Sequence, residues 1–245
     1  MSQTAPSPSP AEKSWRHDLV LLAVLFAALF AWRLGSAPLL NPDEGRYAEV
    51  PREMVASGDW VTPRLNGVPY FEKPPLMYWA VAACEVAFGP SEWSVRLAPA
   101  LFALAGILAT YAAGRRLYGR DAGFWSAVVL GTSLLYLALG HMVTLDIAVS
   151  VLMAATLFCF ILGMREEPGR TRRWLFYGLY ASAALATLTK GLMGFLITGA
   201  VMFLWVLLLN QWKRLWPIRI LESKQFRFAS NRKKGLQQPR GWGLF

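Results

Sequence analysis

Residues 122–164 read AGFWSAVVLGTSLLYLALGHMVTLDIAVSVLMAATLFCFILGM, a stretch of 43 residues with one formally charged side chain, Asp146. At 1.5 Å per residue a single helix of that length would run about 64 Å, roughly twice the hydrocarbon core of a bilayer. Two spans are therefore predicted. Their turn falls at His141 to Asp146, because a charge at the bilayer centre costs about 2.5–3.5 kcal/mol even on insertion scales. Residues 174–209 repeat the pattern, with 36 residues and one charge, Lys190, followed by Gly191. They predict two more spans, again turning at the charge.

Residues 19–34 and 97–113 add one span each, which makes the chain an all-α polytopic membrane protein with about six transmembrane helices. Composition agrees, since 55% hydrophobic and 16% charged residues is too apolar for an ordinary soluble domain. Trp32, Trp93, Trp125 and Trp174 fall near predicted helix ends, where interfacial anchors belong. The net charge is +10, and its distribution sets the topology. Lys13 and Arg16, then Arg115, Arg116 and Arg120, then Arg165, Arg170, Arg172 and Arg173, then the tail from Lys213 share one side, cytoplasmic by the positive-inside rule.

Residues 35–92, the Asp146 turn and the Lys190 turn then emerge together on the outer face. Residues 35–92 carry eight of the fifteen acids against four bases. A basic inside and an acidic outside argue against a nucleic-acid partner and suit a bacterial inner membrane with the loop in the periplasm. Cys84 and Cys159 lack metal or disulfide spacing, and two histidines cannot build a three-histidine catalytic site.

The organisation expected is a disordered cytoplasmic N-terminus at 1–18, a first span at 19–34, an outer loop at 35–92 with two interfacial helices, spans two to six at 93–212, and a basic tail at 213–245. A signal peptide competes for the N-terminal apolar run. Pro38 directly after Gly35-Ser36-Ala37 is a poor cleavage context, however, and five spans follow.

Within the loop, Asn41-Pro42-Asp43-Glu44 reads as a helix start, with Asn41 as cap and Asp43 in the first turn. Tyr47, Val50 and Met54 continue at helical spacing, Pro51 predicts a kink or restart, and Gly58 a stop. Asn66-Gly67 is a turn signal, but Pro63 and Pro69 predict an ordered loop around it rather than paired strands. Lys73 precedes Pro74 and is expected to be extended, so that Glu72 and Lys73 face opposite ways. Pro75 opens a second short helix to about Phe88.

Each of these residues has a bland role. Asp43 and Glu44 complement a helix dipole, Lys73 snorkels, and Asp146 and Lys190 mark turns that must surface anyway. Together they say more. Carboxylates and three cations, Arg46, Lys73 and Lys190, at one membrane depth suit an anionic lipid headgroup: lysine supplies a point charge to a phosphate and arginine a planar fork. A carboxylate beside them can orient or deprotonate an acceptor while the cations stabilise a leaving phosphate.

The ordered set Asp43-Glu-Gly-Arg-Tyr47, Tyr70-Phe-Glu-Lys-Pro-Pro75, Gly114-Arg-Arg-Leu-Tyr-Gly119, Thr144-Leu-Asp146 and Thr189-Lys-Gly191 resembles bacterial lipid-carrier-dependent glycosyltransferases of the GT-C fold. These are the 4-amino-4-deoxy-L-arabinose transferases and the protein O-mannosyltransferase-like proteins of glycosyltransferase family 39. The resemblance implies transfer of a sugar, with inversion, from a polyprenyl phosphate to an outer-leaflet or exported acceptor, lipid A phosphate foremost. It implies that Asp43 is the catalytic carboxylate and Asp146 a second one near the donor sugar. Glu44 and Arg46 support Asp43, Lys73 contacts the polyprenyl phosphate, and Lys190 is a further donor-side cation. Glu72 looks like a ligand to a divalent cation or an equivalent polar partner, and no other cofactor is implied.

The chain departs from that family in length, since members run to about a dozen spans. Nine of its last 33 residues are Lys or Arg and one, Glu222, is acidic. From about Trp216 these residues are expected to follow a frame change and premature end, so that the chain is an N-terminal fragment. Two alternatives stand beside the transferase: a non-enzymatic lipid-headgroup-binding or transporter-type membrane protein, and a truncated transferase without activity of its own.

Overall fold

Leu22, Phe26 and Phe30 recur every fourth residue along α1 (Pro10–Ala31), and this stripe decides how the bundle closes. It packs into Ala100, Ala103, Ile107 and Tyr111 of α4 (Glu92–Tyr118), where the small residues admit the aromatic rings. The computed structural model describes residues 10–40 and 42–211, with side chains from residue 15 onward. In chain order the other elements are α2 (Asp43–Ser57), β1 (Arg64–Leu65), β2 (Val68–Pro69), α3 (Leu76–Phe88), α5 (Arg120–Thr132), α6 (Leu134–Gly140), α7 (Leu145–Arg165), α8 (Arg170–Lys190) and α9 (Met193–Leu208). Helices α1, α3, α5, α6 and α7 all pack on α4, and α8 packs along α7. The chain divides into two compact units, Met1–Met202 and Phe203–Phe245, and everything below concerns the first.

Each of the six apolar runs is helical, and the two predicted turns fall where the lone charges sit. Helix α6 ends at Gly140 and α7 starts at Leu145, while α8 ends at Lys190 with Gly191 at φ 72°. By length and apolar composition α4 and α7 can each cross a membrane, and α5 with α6 makes a third span if that pair, bent by 66°, acts as one. The bend was not foreseen. Ser133 adopts extended angles (φ −63°, ψ 126°) between the two helices, and the Tyr136 hydroxyl donates to the Ala103 carbonyl at 2.7 Å, fixing α6 against α4.

Several local expectations are corrected. Residues 10–18 are helical rather than disordered: Asp18 is buried and accepts two hydrogen bonds from Arg120 and one from Tyr111, which ties the start of α1 to α4 and α5. Pro51 does not restart α2, which runs unbroken from Asp43 to Ser57; Val50, Pro51 and Met54 are all buried and Tyr78 of α3 packs over the same face. The flanks of Asn66-Gly67 do pair, Arg64 with Pro69 and Leu65 with Val68. Asn66 and Gly67 both take positive φ, as a tight hairpin requires, and the Glu53 carboxylate accepts the Gly67 N–H at 3.1 Å, pinning the hairpin to α2. Gly58 ends α2 in the left-handed region, as expected. The Asn41 cap, residues 1–9 and the tail from Trp216 lie outside the described residues.

Helices α4 and α5 approach through glycines. A Cβ on Gly123 would lie 2.5 Å from the Arg115 backbone nitrogen and 2.8 Å from the Tyr111 carbonyl oxygen, neither of which can turn aside. Gly123→Ala is expected to cost about 1–3 kcal/mol, read as a lower thermal midpoint in detergent.

A second expectation concerns α3. Glu85 is buried there with one carboxylate oxygen unpartnered among the described residues, and burial pushes its carboxyl from 4.5 up to about 7. An acid raised on folding carries no penalty while both states are protonated; the penalty grows as pH rises through 4.5 and levels off above about 7. Glu85→Gln should therefore raise the thermal midpoint at pH 8 and leave it nearly unchanged at pH 4.

Candidate functional site

The site is built on a buried ion pair between the start of α2 and the first turns of α4. Glu44 is fully buried. One of its carboxylate oxygens accepts from Arg96 Nε (3.1 Å) and the Val143 N–H (2.8 Å), and the other from Arg96 Nη2 (2.8 Å) and the Leu40 N–H (2.8 Å). Arg96 also donates to the carbonyls of Leu34, Ala37 and Pro38 at 2.7–3.2 Å. Burial alone would raise the Glu44 carboxyl; the bonds from Arg96, Leu40 and Val143 outweigh it and hold the group below its usual value.

Glu44, expected beside Arg46 as a support of Asp43 at the donor site, therefore presents no surface to a ligand. With no exposed surface and both oxygens engaged, it positions the loop instead. Arg96 was missed by sequence reasoning, because its partner is 52 residues away and nothing local marks it.

Asp43, one residue earlier, faces outward. It pairs with Arg46, whose guanidinium also lies 3.9 Å from Glu72. Glu72 takes a hydrogen bond from Tyr70 and lies 3.2 Å from Lys73 Nζ. Adjacent Glu72 and Lys73 therefore meet each other rather than separate partners, contrary to the extended-chain expectation. The Tyr70 hydroxyl, then Lys73, hold the Glu72 carboxyl below its usual value, and the Glu72 bond raises the Tyr70 phenol. Burial, then the charge of Asp43, raises the phenol of Tyr47, on which Glu72 and Asp146 also act. Both tyrosines belong to the network. Sequence reasoning used Tyr47 only as an apolar position, although both sit inside the quoted motifs.

Lys190, at the C-terminal end of α8, pairs with Asp146 in the first turn of α7, and each charge complements its own helix dipole. Lys73 and Lys190 line one cleft of about 420 Å³ with Phe71, Glu72, Pro75 and Gly191. Apart from Glu44, the residues singled out from the sequence are thus joined in two ion-paired clusters, Asp43-Arg46-Glu72-Lys73 and Asp146-Lys190, and Glu72 and Lys73 of the first and Lys190 of the second line this cleft. Two polar atoms in this region, Arg46 Nε and Thr144 Oγ1, are buried without a hydrogen-bond partner among the described residues. Native proteins rarely leave such groups unmet.

The fit to a divalent cation is poor. Among the described residues no three His, Cys, Asp or Glu side chains converge, and the charged neighbours of Glu72 are Lys73 and Arg46, which repel a metal ion.

A bundle of apolar helices long enough to cross a membrane, with acids and cations gathered around a cleft, defines a multi-pass membrane protein. The chain belongs to the family described as dolichyl-phosphate-mannose-protein mannosyltransferase, whose profile matches residues 72–221.

Among curated proteins it is similar to the undecaprenyl phosphate-alpha-4-amino-4-deoxy-L-arabinose arabinosyl transferase of Edwardsiella ictaluri, 32% identical over 206 residues, covering 82% of this chain and 37% of that protein. A second such transferase, from Sodalis glossinidius, is 29% identical over 237 residues, covering 95% of this chain and 43% of that protein. Among solved structures it is similar to ArnT from Cupriavidus metallidurans bound to undecaprenyl phosphate, with TM-score 0.76 and 32% identity over 89% of this chain and 42% of that one. The chain thus spans well under half the length of these relatives.

Proposed function

We propose that this chain carries the donor side of a glycosyltransferase site that moves a sugar, aminoarabinose by kinship, from undecaprenyl phosphate to an exported acceptor, lipid A foremost. The observation that carries the reading is the pair of ion-paired clusters around one cleft. It is supported by relatives named for that donor and by a similar structure that holds undecaprenyl phosphate.

The acceptor oxygen attacks the anomeric carbon from the side opposite the phosphate, so configuration inverts. The bond from that carbon to the phosphate oxygen breaks, and its electron pair stays on the phosphate. Asp43 orients the acceptor, taking the proton if the acceptor is a hydroxyl. Lys73, Arg46 and Lys190 carry the charge that grows on the leaving phosphate. Asp146 holds Lys190 and faces the sugar.

The cleft opens to the periplasm of a bacterial inner membrane in this reading. The test is membrane-impermeant thiol labelling of single cysteines at 43, 73, 146 and 190, with Cys84 and Cys159 replaced by serine. All four should react from outside intact cells; a division between the two faces overturns the site. Lys73→Ala should weaken binding of undecaprenyl phosphate at least tenfold, and unchanged binding would remove its assigned role.

A further inference from the structure

At the other end of α4 lies a second cavity of about 350 Å³, between α1, α4 and α7, that plays no part in the cleft described above. From Arg96 to Arg116 is twenty residues of one helix, roughly 30 Å, which is the thickness of a hydrocarbon core. If one end of α4 sits at one interface, the other end therefore reaches the opposite interface.

The cavity has a charged rim and a greasy wall. Its rim holds Trp15, Arg115 and Arg116, and its wall Leu19, Phe158 and Leu162. The Trp15 ring lies against two guanidinium groups, Arg115 at 4.7 Å and Arg16 at 5.4 Å, so the rim is cationic and fixed in place. Arg115 Nε is buried there without a hydrogen-bond partner among the described residues. Neither Arg115 nor Arg116 has an ion-pair partner among them, and Asp18, the acid nearby on α1, is taken up by Arg120 and Tyr111. Two guanidinium groups without an ion-pair partner among the described residues, above an apolar slot, call for an anion that carries hydrocarbon.

We infer that this cavity binds the headgroup of an anionic glycerophospholipid of the leaflet opposite the Lys73–Lys190 cleft. The phosphodiester sits on Arg115 and Arg116, and the glycerol and first acyl carbons lie along Leu19, Phe158 and Leu162. Arginine suits the role because its planar fork meets two phosphate oxygens at once and sheds water more readily than an ammonium.

The test is lipid retention by the purified chain, measured by native mass spectrometry after equilibration with mixed micelles of phosphatidylglycerol or phosphatidylcholine. Phosphatidylglycerol should be retained at least fivefold more than phosphatidylcholine, and R115A/R116A should abolish that preference while R170A/R173A keeps it. Equal retention of both lipids, or an unchanged preference in R115A/R116A, overturns the proposal.

A second measurement needs no variant. Phosphatidylglycerol with a photoreactive headgroup should crosslink to peptides containing residues 15–19 or 155–162, and crosslinks found only elsewhere overturn the assignment. Glycerol 1-phosphate at millimolar concentration should not compete; full competition would show that the site reads a soluble phosphate and not a membrane lipid.

Discussion

Replacing Asp43 by asparagine is expected to lower sugar transfer at least 100-fold while leaving undecaprenyl phosphate binding within about twofold. The separation follows from the geometry. Asp43 is outward-facing and its one polar partner among the described residues is Arg46, so asparagine keeps the shape and a hydrogen bond but removes the charge. In the proposed site donor affinity rests on Lys73, Arg46 and Lys190, none of which is altered. The measurement is a rate with a lipid-linked sugar and acceptor, paired with a binding titration of the carrier lipid. A rate unchanged in Asp43→Asn would assign the chemistry to another group. A parallel loss of binding would make Asp43 a residue that shapes the donor pocket through Arg46.

The second large effect is structural. Arg96→Ala leaves the Glu44 carboxylate buried without its countercharge and strips the carbonyls of Leu34, Ala37 and Pro38 of their donor. Removing one partner of a buried pair costs about 3–5 kcal/mol, enough to unfold a marginally stable domain. The expected outcome is loss of monodisperse protein after extraction. Glu44→Leu with Arg96→Met should recover part of the loss, since no lone charge remains. Recovery stays incomplete because the Leu40 and Val143 amides lose their acceptor too. A chain carrying Arg96→Ala that purifies and melts like the parent would show that the pair contributes little.

The comparison of sequence with structure divides along the range of the forces involved. The turns at Asp146 and Lys190 were legible because the cost of a charge in hydrocarbon is paid wherever that charge sits, without reference to a partner. The starts and stops at Pro75, Gly58 and Gly191 were legible because those residues act on their own backbone. Arg96 was invisible because its meaning lies in a carboxylate 52 residues away. The burial of Glu44 was illegible for the same reason, since an acid in a first turn has the same local signature whether it points to solvent or into the core.

The continuity of α2 through Pro51 and the break at Ser133 show packing overriding local preference in both directions. Buried Val50 and Met54 hold together a helix that proline weakens, and the anchoring of Tyr136 on α4 helps break one that an apolar run would continue.

The Glu44 carboxylate bridges the loop before α2 and the turn before α7, because it receives amides from Leu40 and from Val143. Those two pieces lead directly into Asp43 at the start of α2 and Asp146 in the first turn of α7. Thermal drift of one drags the other with it, so the spacing of the two outward-facing acids is set during folding and does not wait for a guest molecule to draw them together. If the proposed function holds, an incoming lipid need not draw the two acids together, and more of its binding energy is left for holding the sugar still.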